Sequence, residues 1–305
     1  MSEYGIRELT SPQEADVDIL FVHGLFGSRE DTWTEDRILW PRDLLPNDVP
    51  NARIMTFGYD ADVVKLDASQ VTNNTMETHA ADLCSALATL RASTSTVRDE
   101  ERVIGSSSNN DIRLNALVTG EQSPPGHDTA IVSSYIQGMI FFGTPFRGSN
   151  SAKWANYVQK IAHAFSETNT NKLRDLRENS DKLKMLAEAF PGIHRKRYDK
   201  GEIIGVAFFF ETLRLHKILI VEEDSAWIPG VGDKESIRAD HTSICKFSTR
   251  ENEGYKAVVG KIKKFADLKM TKNRFNNGGA TFNNYGKVGN QVGRDQHVTG
   301  GMSFS

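Results

Sequence analysis

Apolar runs that are continuous rather than alternating punctuate the first two-thirds of the chain, at 17–22, 53–57, 137–142 and 203–209, with a fifth at 217–221. A run with no in-and-out alternation marks a strand covered on both faces, as in a parallel sheet flanked by helices. Helical spacing fills the intervals. Between 78 and 92, Leu83, Leu87 and Leu90 share one stripe, and the stretch 151–190 holds two more helices. The second of these sets Leu173, Leu176, Leu183, Leu186 and Phe190 at helical intervals. Strands alternating with helices predict an α/β fold built on a doubly wound, mostly parallel sheet. The segment 149–200 is too long for a simple crossover and has the length of a cap over a site. A last helix over 254–270 puts Tyr255, Val258, Ile262 and Phe265 on its apolar face and Lys256, Lys261, Lys263, Lys264 and Lys269 on the other. It reads as a packed terminal helix with a solvated face, the sharper alternative being a membrane-surface helix.

Past Met270 this pattern stops. Residues 271–305 are rich in Asn and Gly and nearly without aliphatic side chains, so they cannot bury a core of their own. A boundary near 270 therefore separates a folded domain, 1–270, from a disordered tail, 271–305. Within the tail, Phe275-Asn276-Asn277 recurs as Phe282-Asn283-Asn284, and 288–293 alternates small, apolar and amide residues. Amide side chains form ladders when identical strands stack in register, while Val and Phe interdigitate between sheets. The tail is thus prone to β assembly, the plainer alternative being a disordered appendage.

Composition narrows the function classes without changing the architecture. The chain has 305 residues, 38% hydrophobic and 25% charged, an ordinary globular balance. A formal net charge of -3 gives no reason to expect a nucleic-acid partner. The cysteines, Cys84 and Cys245, stand in no disulfide or metal spacing and suit a reducing compartment. The first residues lack the apolar core of a secretory signal, and no apolar run approaches the ~20 residues that span a bilayer. A cytoplasmic location is the simplest expectation.

Two places carry candidate chemistry. His23-Gly24-Leu25-Phe26-Gly27 directly follows the first apolar strand. Glycines there let the backbone turn sharply and bring N–H groups to a ligand oxygen, a geometry suited to a tetrahedral oxyanion. A phosphate cradle is the competing reading, but the chain has neither a P-loop Gly-Lys-Ser/Thr nor GxGxxG. The second place is Asp240-His241, preceded by the acidic end of the 217–221 run, Glu222-Glu223-Asp224. A carboxylate beyond a late strand and a histidine on the next loop is the order of the orienting acid and base in a hydrolytic triad. An isolated histidine after an aspartate is equally consistent with a structural role. His79, His127, His163 and His194 sit in no metal-ligand spacing, so no metal is expected.

The stretch HGLFGSREDTW with the following LWPRDLLPNDVPNARIMTFGYDAD, GMIFFGTPFRGS at 138–149 and LIVEEDSAWIPGVGDKESIRADHTSICKF at 219–247 carry a resemblance. From about 16 to 264 the chain resembles the lipase-like serine-hydrolase domain at the N-terminus of many fungal immune-receptor proteins. That resemblance implies an α/β-hydrolase fold, acyl-ester hydrolysis or transfer, and no cofactor. It implies Asp224 as the acid, with Glu222 and Glu223 as competitors, and His241 as the base. His23, Gly24, Leu25, Phe26 and Gly27 become the oxyanion and substrate loop, with Leu25 or Phe26 the backbone donor. The nucleophile elbow is where the chain departs from the pattern, since no G-x-S-x-G occurs. Counting back from Asn115-Ala116-Leu117, the elbow falls on Gly105-Ser106-Ser107-Ser108-Asn109-Asn110, with Ser107 as nucleophile and asparagines where the family has glycines. The residues before it, Arg98-Asp99-Glu100-Glu101-Arg102, are charged where a buried strand is required, so an irregular segment is expected over 98–113.

In the tail, Asn290-Gln291-Val292-Gly293 with Gln296 and Val298 resembles the amyloid signalling motifs of fungal cell-death proteins. It is also similar to the homotypic interaction motif of animal necroptosis kinases. Asn290 stands where a β-branched residue is usual and Gln296 where Asn is usual. The pairing implies a cytoplasmic cell-death effector whose tail assembles with itself and with a receptor carrying a matching motif. Its hydrolase domain then acts on membrane lipid or another ester, with membrane association on activation. The rival expectation is a hydrolase-fold scaffold without catalysis, in which the tail supplies all the signalling.

Overall fold

The computed structural model describes residues 3–24, 27–59, 76–93, 102–108, 112–146, 157, 159–160, 164 and 170–277. Its strands are β1 (Gly5–Thr10), β2 (Val17–Val22), a short hairpin of β3 (Thr34–Glu35) and β4 (Ile38–Leu39), β5 (Ala52–Gly58), β6 (Arg102–Ser108), β7 (Ile136–Phe142), β8 (Gly205–Glu211) and β9 (Asp233–Ile237). Seven of them form one sheet in the order β1-β5-β2-β6-β7-β8-β9. Only β1 runs antiparallel to its neighbour; every other pairing in this sheet is parallel. The chain steps outward from β2 to β5, then returns across β2 to lay β6 on its other side. The direction of winding therefore reverses between β2 and β6. This is the α/β-hydrolase arrangement, and such a reversal opens a crevice at the carboxyl ends of the two strands.

Both faces of the sheet are covered, which is why its central strands read as unbroken apolar runs. Along β2, Val17, Ile19 and Phe21 face a layer containing Trp33, Trp40, Tyr255, Val258 and Phe265. Leu20 and Val22 face the opposite layer, with Leu83, Leu87, Leu117 and Phe190. Asp18 interrupts the run while fully buried. Its carboxylate accepts hydrogen bonds from Arg53 Nε (2.7 Å) and Nη2 (2.9 Å), and Arg91 Nε approaches to 3.6 Å. Residues 18 and 53 are register partners on adjacent strands, so the two charges meet where they can neutralise each other.

Four parts of the chain differ from the pattern reading. The run 217–221 is not a strand. Its apolar residues Ile218, Ile220 and Val221 pack with Ala164 and Ala226 in a satellite cluster beside a tight turn at His216-Lys217. The edge strand β9, mostly exposed, replaces it in the sheet; its sequence, DKESI, carries no apolar signature because little of it is covered. The expected irregularity over 98–113 gives way, where it is described, to strand β6. Of its residues read as an elbow, 105–107 pair with β2 on one side and 105–108 with β7 on the other. Ladders on both sides satisfy the backbone whatever the side chains, so three serines in a row do not break the strand. The charged residues 98–101 lie outside the described residues. In the cap region residues 157, 159–160 and 164 are helical, and the helix Thr170–Asp199 continues through Pro191, beyond the end of the apolar pattern at 190.

The terminal helix, Glu253–Asn277, packs Tyr255, Val258, Ile262 and Phe265 into the core. Its lysines are engaged with acids of the domain: Lys261 with Asp233 and Glu235, Lys264 with Asp233, and Lys263 with Asp48. That is the packed helix with a solvated, ion-paired face. Among the described residues no helix is long and apolar enough to cross a membrane. The chain divides into two units, 1–268 and 269–305. The tail motif residues Asn290, Gln291, Val292, Gly293, Gln296 and Val298 lie outside the described residues.

Candidate active site

Four strand ends converge at the crevice. His23 and Gly24 leave β2, β6 closes on Ser107 and Ser108, Gly143 follows β7, and Glu211 ends β8. Register puts them at one level. Ser107 lies opposite Val22 on one side and Phe141 on the other, and Phe142 opposite Phe209. The carboxyl edge of a parallel sheet is where loops collect and ligands bind in open α/β folds.

His241 is 4% exposed. Its Nδ1 stands 3.2 Å from Oε1 of Glu211, itself 2% exposed at the end of β8. A carboxylate oxygen accepts, so Nδ1 carries a proton, and in the neutral ring that leaves the lone pair on Nε2. Glu211 Oε1 also accepts the backbone N–H of Val221 at 2.7 Å, which fixes the carboxylate from its other side. The acid implied at Asp224 is elsewhere. Asp224 sits exposed in a single turn of 3-10 helix, Glu223–Ser225, and it is Glu211 that meets His241. The cause is that 217–221 is no strand: the last acid that closes a strand at its carboxyl end before the histidine is then Glu211. Glu222 and Glu223 pair instead with Lys160 and Lys234. A sequence signal for Glu211 existed, a single acid closing the apolar run Phe208-Phe209-Phe210.

Asp240 has a different task from the one its adjacency to His241 suggests. Its Oδ1 accepts from the backbone N–H of Thr242 (2.9 Å) and of Ser243 (3.1 Å) and from both hydroxyls. Burial pushes this carboxyl up, but those donors outweigh it and hold it below the usual carboxylate range. Asp240 therefore shapes the turn that presents His241.

At the other side of the crevice His23 is a brace. Its Nδ1–H donates to Gly24 O (2.9 Å) and its Nε2 accepts the Tyr59 N–H (3.3 Å). The ring stacks on Tyr59 with centroids 4.2 Å apart, and Tyr59 Oη donates to His23 O at 3.0 Å. Burial lowers its pKa from 6.5 to about 4, with the nearby charges of His79 and Arg29 acting in the same direction. A ring with both nitrogens engaged within the fold is built to hold the 23–27 loop rather than to touch substrate. The turn closes through Gly27 N–H to Gly24 O at 3.1 Å. Gly27 admits no side chain, since a Cβ there would lie 2.2 Å from Thr32 Oγ1. Leu25 and Phe26, the expected oxyanion donors, lie outside the described residues. Ser107 is described through its backbone, at the penultimate position of β6, and residues 109–111 lie outside the described residues. No cluster of His, Cys, Asp and Glu fit for a metal occurs among the described residues.

No family model matches the chain. In sequence it is similar to protein SERAC1 of Danio rerio, 26% identical over 269 residues, which are 81% of this chain and 39% of that protein. Protein SERAC1 of Homo sapiens is 26% identical over 257 residues, 77% of this chain and 36% of that one. The chain thus spans less than two-fifths of the length of these curated relatives. Solved structures that overlap it include a thermophilic esterase from Thermogutta terrifontis, 14% identical over 86% of this chain and 93% of that one, TM-score 0.43. MenH from S. aureus is 13% identical over 87% and 99%, TM-score 0.44. Overlaps this loose add nothing to the topology already described.

Proposed function

We propose that this chain is an ester hydrolase in which His241 is the general base, Glu211 the acid that orients it, and Ser107 the nucleophile. One observation carries the reading: a buried histidine donates Nδ1–H to a buried glutamate, 3.2 Å away, at the carboxyl edge of the sheet where the winding reverses. In that tautomer Nε2 takes the proton from the serine hydroxyl as Oγ bonds to the ester carbonyl carbon. The oxyanion so formed is met by backbone N–H groups of the 23–27 loop. Nε2–H then gives its proton to the departing alkoxide, and a water, deprotonated by the same nitrogen, releases the acid. Following the tail's resemblance to amyloid signalling motifs, the hydrolase is a cell-death effector switched on when a receptor with a matching motif templates its tail. Membrane lipid is then a candidate ester substrate.

A second reading has its own observation. Asn109 and Asn110 stand where an elbow places small glycines to let the following helix pack against its strand. On that reading the fold is a catalytically dead scaffold. Turnover of short- and medium-chain p-nitrophenyl esters by the full chain separates the two. The enzyme reading expects His241→Ala to fall to background and Glu211→Gln to lose roughly 10³–10⁴ in kcat through the wrong imidazole tautomer. Asp224→Asn is expected to stay within about twofold of the parent, since Asp224 is exposed and the carboxylate that meets the ring is Glu211. No turnover by the parent chain above buffer leaves the scaffold.

A further inference from the structure

Gly143 belongs to the segment Phe142-Gly143-Thr144-Pro145-Phe146, which the hydrolytic reading has not used. Its N–H continues the β7–β8 ladder, donating to Phe209 O at 2.8 Å, and the chain then turns away with a left-handed φ of 51°. Three residues on, Phe146 N–H donates to Ser225 O at 2.6 Å, so the segment is anchored at both ends. Anchored in this way, the bare Cα of Gly143 lies against the histidine–carboxylate pair. A Cβ there would come within 3.1 Å of Glu211 Oε2, 3.1 Å of His241 Nδ1 and 3.2 Å of His241 Cε1. Oε2 is buried and without a hydrogen-bond partner. A methyl against it would cover this polar oxygen further without giving it a partner.

We infer that Gly143 is a positioning residue for the His241–Glu211 pair: its missing side chain sets how closely the imidazole meets the carboxylate. This deepens the hydrolytic reading and rests on it for its functional meaning. The left-handed turn alone would favour glycine, as at any such φ, and Asn would then be tolerated. The second requirement is different in kind. A β-carbon at 3.1–3.2 Å forces its neighbours to give by a few tenths of an ångström. Here the neighbours are the Nδ1 that donates and the carboxylate that receives. Glu211 Oε1 is also held by Val221 N–H, so a push from the β-carbon parts the ring from the carboxylate rather than moving the two together.

The test is a double-mutant cycle in the full chain, with Gly143→Ala and His241→Ala singly and together, read by thermal unfolding and by ester turnover. A cycle removes the cost of the left-handed backbone, which both backgrounds share, and leaves the term between methyl and ring. The expected result is that Gly143→Ala lowers Tm by about 5 °C in the parent and by less than half of that without the imidazole. In the parent it should also cut kcat about tenfold with KM within twofold, since the base is displaced and the binding surface is not. Should Gly143→Ala fail to fold alone yet fold with His241→Ala, the clash with the ring is demonstrated. Equal Tm losses in both backgrounds, failure to fold in both, or an undiminished kcat in an active parent overturns the inference. A parent that hydrolyses no ester sinks the proposed activity, while the unfolding arm still decides whether Gly143 sets the pair's geometry.

Discussion

Acid should weaken this protein well before its carboxylates titrate, and His23 is the reason. In the folded chain its pKa is lowered from 6.5 to about 4 by burial. Between those values an unfolded chain takes up a proton that the native state refuses, so stability falls with pH across that window and levels off below it. The gap between 6.5 and about 4 corresponds to about 3 kcal/mol at about 1.36 kcal/mol per pH unit, of which about 2 kcal/mol is lost by pH 5. The aspartates held in ion pairs and turns leave the window clear. Asp43, Asp48, Asp233 and Asp240 all have pKa values below the usual carboxylate range, so their contributions stay intact until the pH falls below ~4. Urea unfolding at pH 7.5, 6.0, 5.0 and 4.5 measures the effect directly. His23→Gln removes the titration while leaving an oxygen to accept the Tyr59 N–H. The difference between parent and variant should therefore shrink by about 2 kcal/mol between pH 7.5 and pH 5. A constant difference across that range would mean that the imidazole is not held neutral between Gly24 and Tyr59, and the brace described for the 23–27 loop would fall with it.

Two further outcomes follow from features away from the crevice. Asp18→Asn leaves Arg53 buried beside a neutral amide and should cost about 3–5 kcal/mol, seen as a lowered urea midpoint with an unchanged m-value; a loss under 1 kcal/mol would show that water reaches the pair. A peptide covering 273–305 should start disordered and, on seeding, form fibrils with thioflavin fluorescence and a spacing near 4.7 Å. Val292→Pro, which deletes a ladder N–H, should block that assembly; equal assembly rates would leave the tail a plain appendage.

The sheet's centre was legible because its strands are buried on both faces and so announce themselves as apolar runs: β2, β5, β7 and most of β8. What the pattern could not reach was set by context. Strand β9 is an exposed edge, its acids partnered by Lys261 and Lys264 from the terminal helix, and nothing local in DKESI says strand. Conversely 217–221 is as apolar as a strand, yet its burial comes from a satellite cluster beside a turn. That single misassignment moved the acid: with 217–221 as the last strand, Glu222 to Asp224 are the natural partners for His241, and with it removed the partner is Glu211. His241 was readable from local sequence. The adjacent Asp240 attracted attention for a correct reason, its closeness, but its bonds to Thr242 and Ser243 are a matter of turn geometry that spacing does not reveal.

The buried Asp18–Arg53 pair also bears on how the chain finds its fold. Strand β2 is apolar toward both layers, and a strand with no inside and outside can slide by one residue against its neighbour with little hydrophobic loss. A slip of one position would turn Arg53 toward the aromatic layer around Trp33 and Trp40 and strand Asp18 without its partner. The charges thus act as an index mark on an otherwise featureless ribbon. Replacing both with leucine-sized side chains should keep or raise stability while blurring the alignment, and what blurs first is the strand end from which His23 and its loop emerge. A protein so altered would melt at a higher temperature and yet show heterogeneous amide resonances from 17 to 24, stability and definition having parted company.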